Sequence, residues 1–235
     1  MSSSSPTATQ QRILASGRWF AGLPSPLQDA LCDHARVVRL RTGELLFQRG
    51  DDNDGLYGVL DGAIRFGAVS LAGKESVVGL AERPQWFGEV ALLDGGQRTH
   101  DAWAESAATL AHVPLPAIDR WLARNPAHWR HIGQLAAHKL RVVFAAIEDA
   151  GLHPPRDRLI RCLVSLASGY GQREDSMPQT LRVSQERLGS MLSLSRQTVN
   201  ALLQDLEREG LLVCVRGGLR IIDPEHLLEL EAAIR

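Results

Sequence analysis

Trp86-Phe87-Gly88-Glu89-Val90-Ala91-Leu92-Leu93-Asp94-Gly95-Gly96-Gln97-Arg98-Thr99 says more about this protein than any other run of its residues. An acidic residue stands on a short turn, and an Arg-Thr pair follows nine positions later across a glycine-rich bend. A turn of helix beginning near Gly88 would aim free backbone N–H groups and the positive end of its dipole at an anion. Gly95 and Gly96 let the chain reverse, so that Arg98 brings paired guanidinium donors to the same anion. Glu89 is repelled by an anion and suits a neighbouring hydroxyl instead, from which its carboxylate accepts. Gly88, Glu89, Val90, Ala91, Arg98 and Thr99 are therefore the candidate ligand residues, and a sugar phosphate is the chemistry they fit.

The run resembles the phosphate-binding cassette of cyclic-nucleotide-binding domains, written F-G-E-h-A-L with R-[ST]-A downstream, where h is apolar. Phe87, Gly88, Glu89, Val90, Ala91, Leu92, Arg98 and Thr99 fit that pattern, whereas His100 and Asp101 stand where the family most often carries small residues. The resemblance implies a β-roll around the cassette. The flanking sequence supports one independently. Short apolar runs recur at 37–40, 45–47, 56–60, 64–69, 76–80 and 109–113. They are separated by turn signals at Thr42-Gly43, Gly50-Asp51, Asp61-Gly62 and Ala72-Gly73, which is the spacing of an antiparallel roll or sandwich. Gly50-Asp51-Asp52-Asn53-Asp54 lacks the spacing and terminal acid of a calcium loop and reads as an acidic hairpin turn.

Residues 19–31 read as short helix broken by Pro24 and Pro26, and residues 1–18, opening Met1-Ser2-Ser3-Ser4-Ser5-Pro6, as a disordered polar tail. Beyond Asn125-Pro126, the segment 128–151 carries Ile132, Leu135, Ala136, Val142, Val143, Ala146 and Ile147 at three- and four-residue intervals. That apolar stripe is wider than packing on one roll requires and predicts a helix–helix dimer seam. Leu152-His153-Pro154-Pro155 breaks the helix and marks a domain boundary. The domains expected are thus an effector domain at 19–127, a dimerisation helix at 128–151 and a further domain at 152–235.

That last domain opens with a helix at 156–168 and a loop from Gly169 to Pro178. Ser184 can then cap a helix with Leu188 and Leu192 inward, and Ser195 a second helix with Val199, Leu202, Leu203 and Leu206 inward. Two such helices about a tight turn form a helix-turn-helix. The start of the second exposes Arg196, Gln197 and Asn200, residue types that read base edges in a major groove. Apolar runs at 211–215 and 219–222, joined at Arg216-Gly217-Gly218, predict a β-hairpin wing with Arg216 placed for phosphate. Ser184, Gln185, Ser195, Arg196, Gln197, Thr198, Asn200 and Arg216 are the candidate DNA contacts, and double-stranded DNA the expected partner.

From Trp19 onward the chain resembles the cyclic-AMP receptor protein (CRP/FNR) family of bacterial transcription regulators, with roll, cassette, long helix, hinge and winged helix in that order. The fold class expected is α+β: an N-terminal β-roll, a long dimerisation helix and a C-terminal winged helix-turn-helix. The resemblance implies a homodimer that binds DNA, RNA polymerase as a further partner, and a cyclic nucleotide as effector. Arg196 matches the family's guanine-reading arginine. Gln197 stands where the cyclic-AMP receptor has a base-reading glutamate, and Ala201 where it has a second base-reading arginine. Val143 and Phe144 occupy the positions of its adenine-contacting Thr-Ser pair, and neither side chain can hydrogen-bond a base. The effector therefore stays open between a cyclic nucleotide, a dinucleotide, haem and none.

Composition bounds the alternatives. With 26 Lys+Arg against 27 Asp+Glu the formal net charge is −1, which excludes a wholly basic non-specific nucleic-acid binder but not a local basic face. Lys74 and Lys139 are the only lysines. The sequence contains neither a membrane-length apolar run nor the basic start and apolar core of a signal peptide, so a cytoplasmic protein is expected. Cys32, Cys162 and Cys214 form no C-x-x-C pair and read as small core residues rather than metal ligands. His100, His112 and His138 are the candidate haem ligands. A hydrolase-like set of Ser106, His100 and Asp101 fails, because adjacent residues on a strand face opposite ways and no G-x-S-x-G elbow is present. No catalytic role is expected. A nucleotide-binding regulatory subunit, its C-terminal helices docking a partner protein, is the remaining alternative.

Overall fold

The computed structural model describes residues 5–69, 75–172 and 180–234. The turn expected at Ala72-Gly73 and the Met177-Pro178 end of the loop lie outside them. Helices α1 (Ala8–Ala15), α2 (Arg18–Ala21) and α3 (Ser25–His34) lead into strands β1 (Arg36–Leu40), β2 (Leu45–Phe47), β3 (Gly55–Asp61), β4 (Ala63–Val69), β5 (Glu75–Glu82) and β6 (Trp86–Phe87). Then come α4 (Glu89–Asp94), β7 (Asp101–Ala104), β8 (Ala108–Pro114), α5 (Leu115–Arg124) and the long α6 (Trp129–Leu152). The chain continues through α7 (Pro155–Ala167), β9 (Thr180–Leu181), α8 (Gln185–Leu192), α9 (Arg196–Arg208), β10 (Leu212–Val215), β11 (Gly218–Ile221) and α10 (Pro224–Ala233). This is the α+β class expected, and the described residues divide into two compact units whose main boundary falls inside α6, between Arg141 and Val142.

In the first unit two four-stranded sheets, ordered β1-β8-β3-β6 and β2-β7-β4-β5, form the roll. Strand β3 sits inside its sheet, antiparallel to β8 with Leu56 opposite Val113 and Tyr57 opposite His112. Successive strand residues face opposite ways, and both faces of this sheet are covered. Tyr57, Val59, Phe87 and Leu110 turn into the roll interior with Leu40, Ile64, Ala102 and Ala104, Phe47 and Phe66 packing alongside. Leu56, Leu60, Trp86 and Val113 turn the other way, onto Leu14, Phe20, Leu27, Leu31, Ile118, Leu122, Ile132 and Leu135 of the helices. Coverage on both sides explains why β3 reads as an unbroken apolar run rather than an alternating one.

The N-terminal segment corrects the sequence reading. Within 1–18, taken as a disordered tail, residues 8–15 form α1, closed by a capping box in which Thr7 and Gln10 exchange hydrogen bonds. Leu14 is fully buried in the helical core cluster. Burial of one leucine is worth roughly 1.5–3 kcal/mol, enough to dock a short polar helix that has a good cap.

Helix α6 divides its apolar stripe. Ile132 and Leu135 are buried in the first unit's core, whereas Leu140, Val143, Phe144 and Ile147 are 50, 49, 56 and 63% exposed. In the second unit Leu159, Ile160, Leu163 and Leu166 of α7, Leu188 and Leu192 of α8, and Val199, Leu203 and Leu206 of α9 are buried, as are Leu212, Leu219 and Ile221 of the sheet β10-β11-β9. No helix among the described residues is long and apolar enough to cross a membrane.

Candidate functional site

Strand β6 carries Phe87 into the roll, and the chain then turns through Gly88 at φ +99° to start α4. A Cβ at Gly88 would lie 2.7 Å from the Gly55 carbonyl oxygen and 2.9 Å from Arg98 Nη1, so the turn needs glycine on both counts. Glu89 opens α4 almost fully buried, and its Oε2 accepts from Lys139 Nζ of α6 at 2.7 Å. Arg98 is 4% exposed. Its Nη2 donates to the Asp54 carboxylate and, at 2.8 Å, to the Gly55 carbonyl, while Nη1 lies 3.4 Å from the Gly88 carbonyl. The guanidinium carbon sits 4.4 Å above the Phe47 ring, and Nε is buried without a hydrogen-bond partner.

Asp54 is the hub of this end of the roll. Besides Arg98, its carboxylate accepts from the Tyr57 hydroxyl, and its carbonyl lies 3.0 Å from His112 Nε2. Tyr57 stacks on both Phe87 and His112, and burial, then the bond to Asp54, push its phenol well above the usual range. Thr99 is exposed, its hydroxyl 3.0 Å from His100 Nδ1, and its carbonyl accepts from Arg49 Nε at 2.9 Å. Burial and the Arg49 charge hold His100 below the usual imidazole range, with Asp101 pulling the other way.

In the second unit Ser184 Oγ accepts from Arg187 N at 3.1 Å and Ser195 Oγ from Thr198 N at 3.0 Å, so both serines cap the helices that follow. The turn between is tight. Ser193 is left-handed at φ +55°, Leu194 N donates to the Gly189 carbonyl at 2.9 Å, and a Cβ at Gly189 would meet the Leu194 carbonyl at 2.8 Å. The first turn of α9 leaves Arg196, Gln197 and Thr198 exposed, and Ala201 is exposed one turn on. The hairpin of β10 and β11 pairs Leu212 with Ile221 and Val215 with Gly218, leaving Arg216 exposed at its tip.

Residues 37–125 match the model of the cyclic nucleotide-binding domain, and residues 157–230 that of the Crp-like helix-turn-helix domain. The chain belongs to the CRP/FNR family of transcription regulators. Among similar proteins, a CRP-like cAMP-activated global transcriptional regulator of Mycobacterium tuberculosis is 27% identical over 221 residues, 92% of this chain and 96% of that protein. The nitrogen fixation regulation protein FixK of Bradyrhizobium diazoefficiens is 25% identical over 84% of this chain and 83% of its own length. Of solved structures, FixK2 from Bradyrhizobium japonicum superposes with a TM-score of 0.74 at 18% identity, covering 86% of this chain and 99% of that one. A CRP/FNR-family regulator of Thermus thermophilus gives 0.65 at 26% identity, covering 84% and 98%.

This CRP/FNR regulator is accordingly a DNA-binding transcription regulator with a cyclic nucleotide-binding domain, and its family is one of regulators, not enzymes. The fold gathers Gly88, Glu89 and Arg98 at one end of the roll. Val143 and Phe144 stand exposed on α6. Asn200, expected to be exposed, is half-buried instead, because Gln185 Nε2 donates to its Oδ1 at 3.1 Å. The histidines read as haem candidates have protein partners: His100 has Thr99, and His112 has the Asp54 carbonyl and the Tyr57 ring. Asp101, from the rejected hydrolase-like set, accepts from Arg49 N at 2.7 Å. Cys32, Cys162 and Cys214, read as core residues, are only partly buried; burial still lifts the thiols of Cys32 to about 11 and Cys162 to about 12, which suits unreactive positions. No group of three or more potential ligands could hold a metal among the described residues. Sequence reading missed Asp54 and Lys139 as partners of the two cassette charges.

Proposed function

We propose that this chain is a homodimeric regulator that reads a two-fold operator and is controlled by an anionic effector, of the cyclic-nucleotide class, in its β-roll. The observation that carries the effector reading is Arg98, buried at the Gly88 turn with an Nε that lacks a hydrogen-bond partner. A bound phosphate supplies that acceptor, next to the first turn of α4, where Gly88, Glu89, Val90 and Ala91 bring backbone N–H groups. Thr99 adds a hydroxyl at the rim, and Glu89, held by Lys139, remains able to accept from a sugar hydroxyl. Val143 and Phe144 carry no side-chain hydrogen-bonding group, so neither can tell adenine from guanine. Similar proteins support more than one member of the effector class, since a cAMP-activated regulator and a c-di-GMP responsive regulator both resemble this chain. The effector domain then spans 19–127 with α1 added, the dimerisation helix 128–151 and the DNA-binding domain 152–235. The cytoplasm is its place of work, and RNA polymerase its further partner.

Two measurements test this reading. Calorimetric titration of the wild type with cyclic AMP, cyclic GMP and cyclic di-GMP gives heat with at least one of them. No heat and no thermal shift with any of the three at millimolar ligand removes cyclic-nucleotide sensing. For DNA, Ser184, Ser195, Thr198 and Arg216 serve the phosphates, and Arg196 and Gln197 the base edges. Arg196→Ala costs about 1–3 kcal/mol at the preferred operator and less on random DNA, because the phosphate contacts remain. Equal losses on both, measured by fluorescence anisotropy, remove Arg196 as a base reader.

A further inference from the structure

The start of α9 holds a polar contact that phosphate binding does not require. Gln185, the first residue of α8, reaches across the helix-turn-helix and donates from Nε2 to Asn200 Oδ1 at 3.1 Å. Both side chains are half-buried, and Asn200 stands one turn beyond the exposed pair Arg196 and Gln197. An asparagine with both amide groups free pairs with adenine, accepting from N6 and donating to N7. Here one lone pair of Oδ1 is taken by Gln185 and the bond fixes the amide's direction, which leaves Nδ2 as the group offered to a base.

We propose that Gln185 sets the base preference of Asn200: the pair makes Asn200 a donor, matched to an acceptor edge such as guanine O6 and N7 or thymine O4, rather than an adenine reader. This rests on the reading of α9 as the helix that enters the major groove. It adds one specified base pair to each half-site beyond those read by Arg196 and Gln197. It also separates the roles of two neighbours: Gln197 reads through its own side chain, whereas Asn200 reads through an amide whose direction another helix fixes. Cytosine, which offers only an N4 donor in the major groove, is the base most strongly rejected.

The test is selection of operators from a randomised duplex pool by the full-length wild type, Gln185→Ala, Gln185→Glu and Asn200→Ala. At one base pair per half-site the wild type favours guanine or thymine. Gln185→Ala frees the Asn200 oxygen and raises adenine there by about tenfold relative to wild type, because the amide can then pair with adenine through both of its groups. Gln185→Glu cannot donate; it accepts from Asn200 Nδ2, turns the amide round and moves the preference to adenine or cytosine. Asn200→Ala loses preference at that base pair alone. A Gln185→Ala pool indistinguishable from the wild-type pool, with Gln185→Glu likewise unchanged, overturns the proposal while leaving the groove reading intact. A uniform loss of selectivity at every position overturns it too, since that is what a merely structural role produces. A wild type that selects no sequence at all removes the groove reading itself.

Discussion

Ile147→Glu is expected to abolish the proposed α6–α6 dimer and to leave the fold of the single chain intact. Ile147 is 63% exposed on α6, in a row with Leu140, Val143 and Phe144, each about half exposed. Its replacement removes little packing from the single chain, and glutamate is a good helix former. Four large apolar side chains in contact with water on one helix are a substantial cost, and a second copy of the same helix relieves it. In such a seam the substitution places two carboxylates against each other with little water to screen them, which costs several kcal/mol. A dimer that loses that much dissociates at micromolar concentration. Operator affinity then falls at least a hundredfold, because two recognition helices no longer engage successive half-sites together. Sedimentation velocity checks the first outcome and anisotropy with a full operator the second. A variant that stays dimeric shows that the row faces something other than a second copy. Ile147 is the better choice than Val143 here, since Val143 is also a candidate effector contact.

Arg98→Leu has the second large effect, and it falls on stability as well as on the effector. The guanidinium serves the Asp54 carboxylate and the Gly55 and Gly88 carbonyls, and it covers the Phe47 ring. Leucine keeps some of the apolar contact but leaves two carbonyl oxygens short of a donor in a buried place, at roughly 1–3 kcal/mol each before relaxation. Asp54 adds less, because its side chain is 48% exposed and water can replace the lost partner. A net loss of about 2–4 kcal/mol is expected, visible as a melting temperature lower by about 5–15 degrees. Any cyclic-nucleotide heat seen with the wild type disappears at a temperature where the variant is still folded. An unchanged melting temperature would mean that the Arg98 contacts are not those that hold the turn.

Local pattern made most of the roll legible, and distance in sequence hid the rest. The runs at 45–47 and 56–60 and the serine caps are signals carried within a few residues. They correspond to β2, β3, α8 and α9. Strand β7 escaped because Asp101-Ala102-Trp103-Ala104 offers one large residue, although its burial does alternate. Strand β6 is two residues long, too short for any period to register. Helix α1 escaped because Leu14 is its only buried residue, and a single buried leucine is no periodicity. In the cassette, Gly88, Glu89 and Arg98 were readable from a motif, but their partners were not. Asp54 lies 44 residues before Arg98 and Lys139 lies 50 after Glu89, and nothing local marks either as the matching charge. Asn200 illustrates the same limit from the other side. Helical spacing places it near the exposed face of α9, and only the crossing of α8 shows that Gln185 claims its oxygen.

The ion pair between Lys139 and Glu89 has a practical corollary. Lys74 and Lys139 provide the only two side-chain amines in the sequence. Lys139 is 39% exposed, so an acylating reagent can approach it, yet its nitrogen is engaged by a buried carboxylate. An ammonium held in that pair reacts poorly, and whatever draws Glu89 away from it leaves the nitrogen free to give up a proton to water and then attack the reagent. The mass shift of the single peptide bearing Lys139 therefore works as a built-in gauge of the cassette. It can be read by digestion and mass spectrometry, without attaching a fluorophore or knowing the effector beforehand.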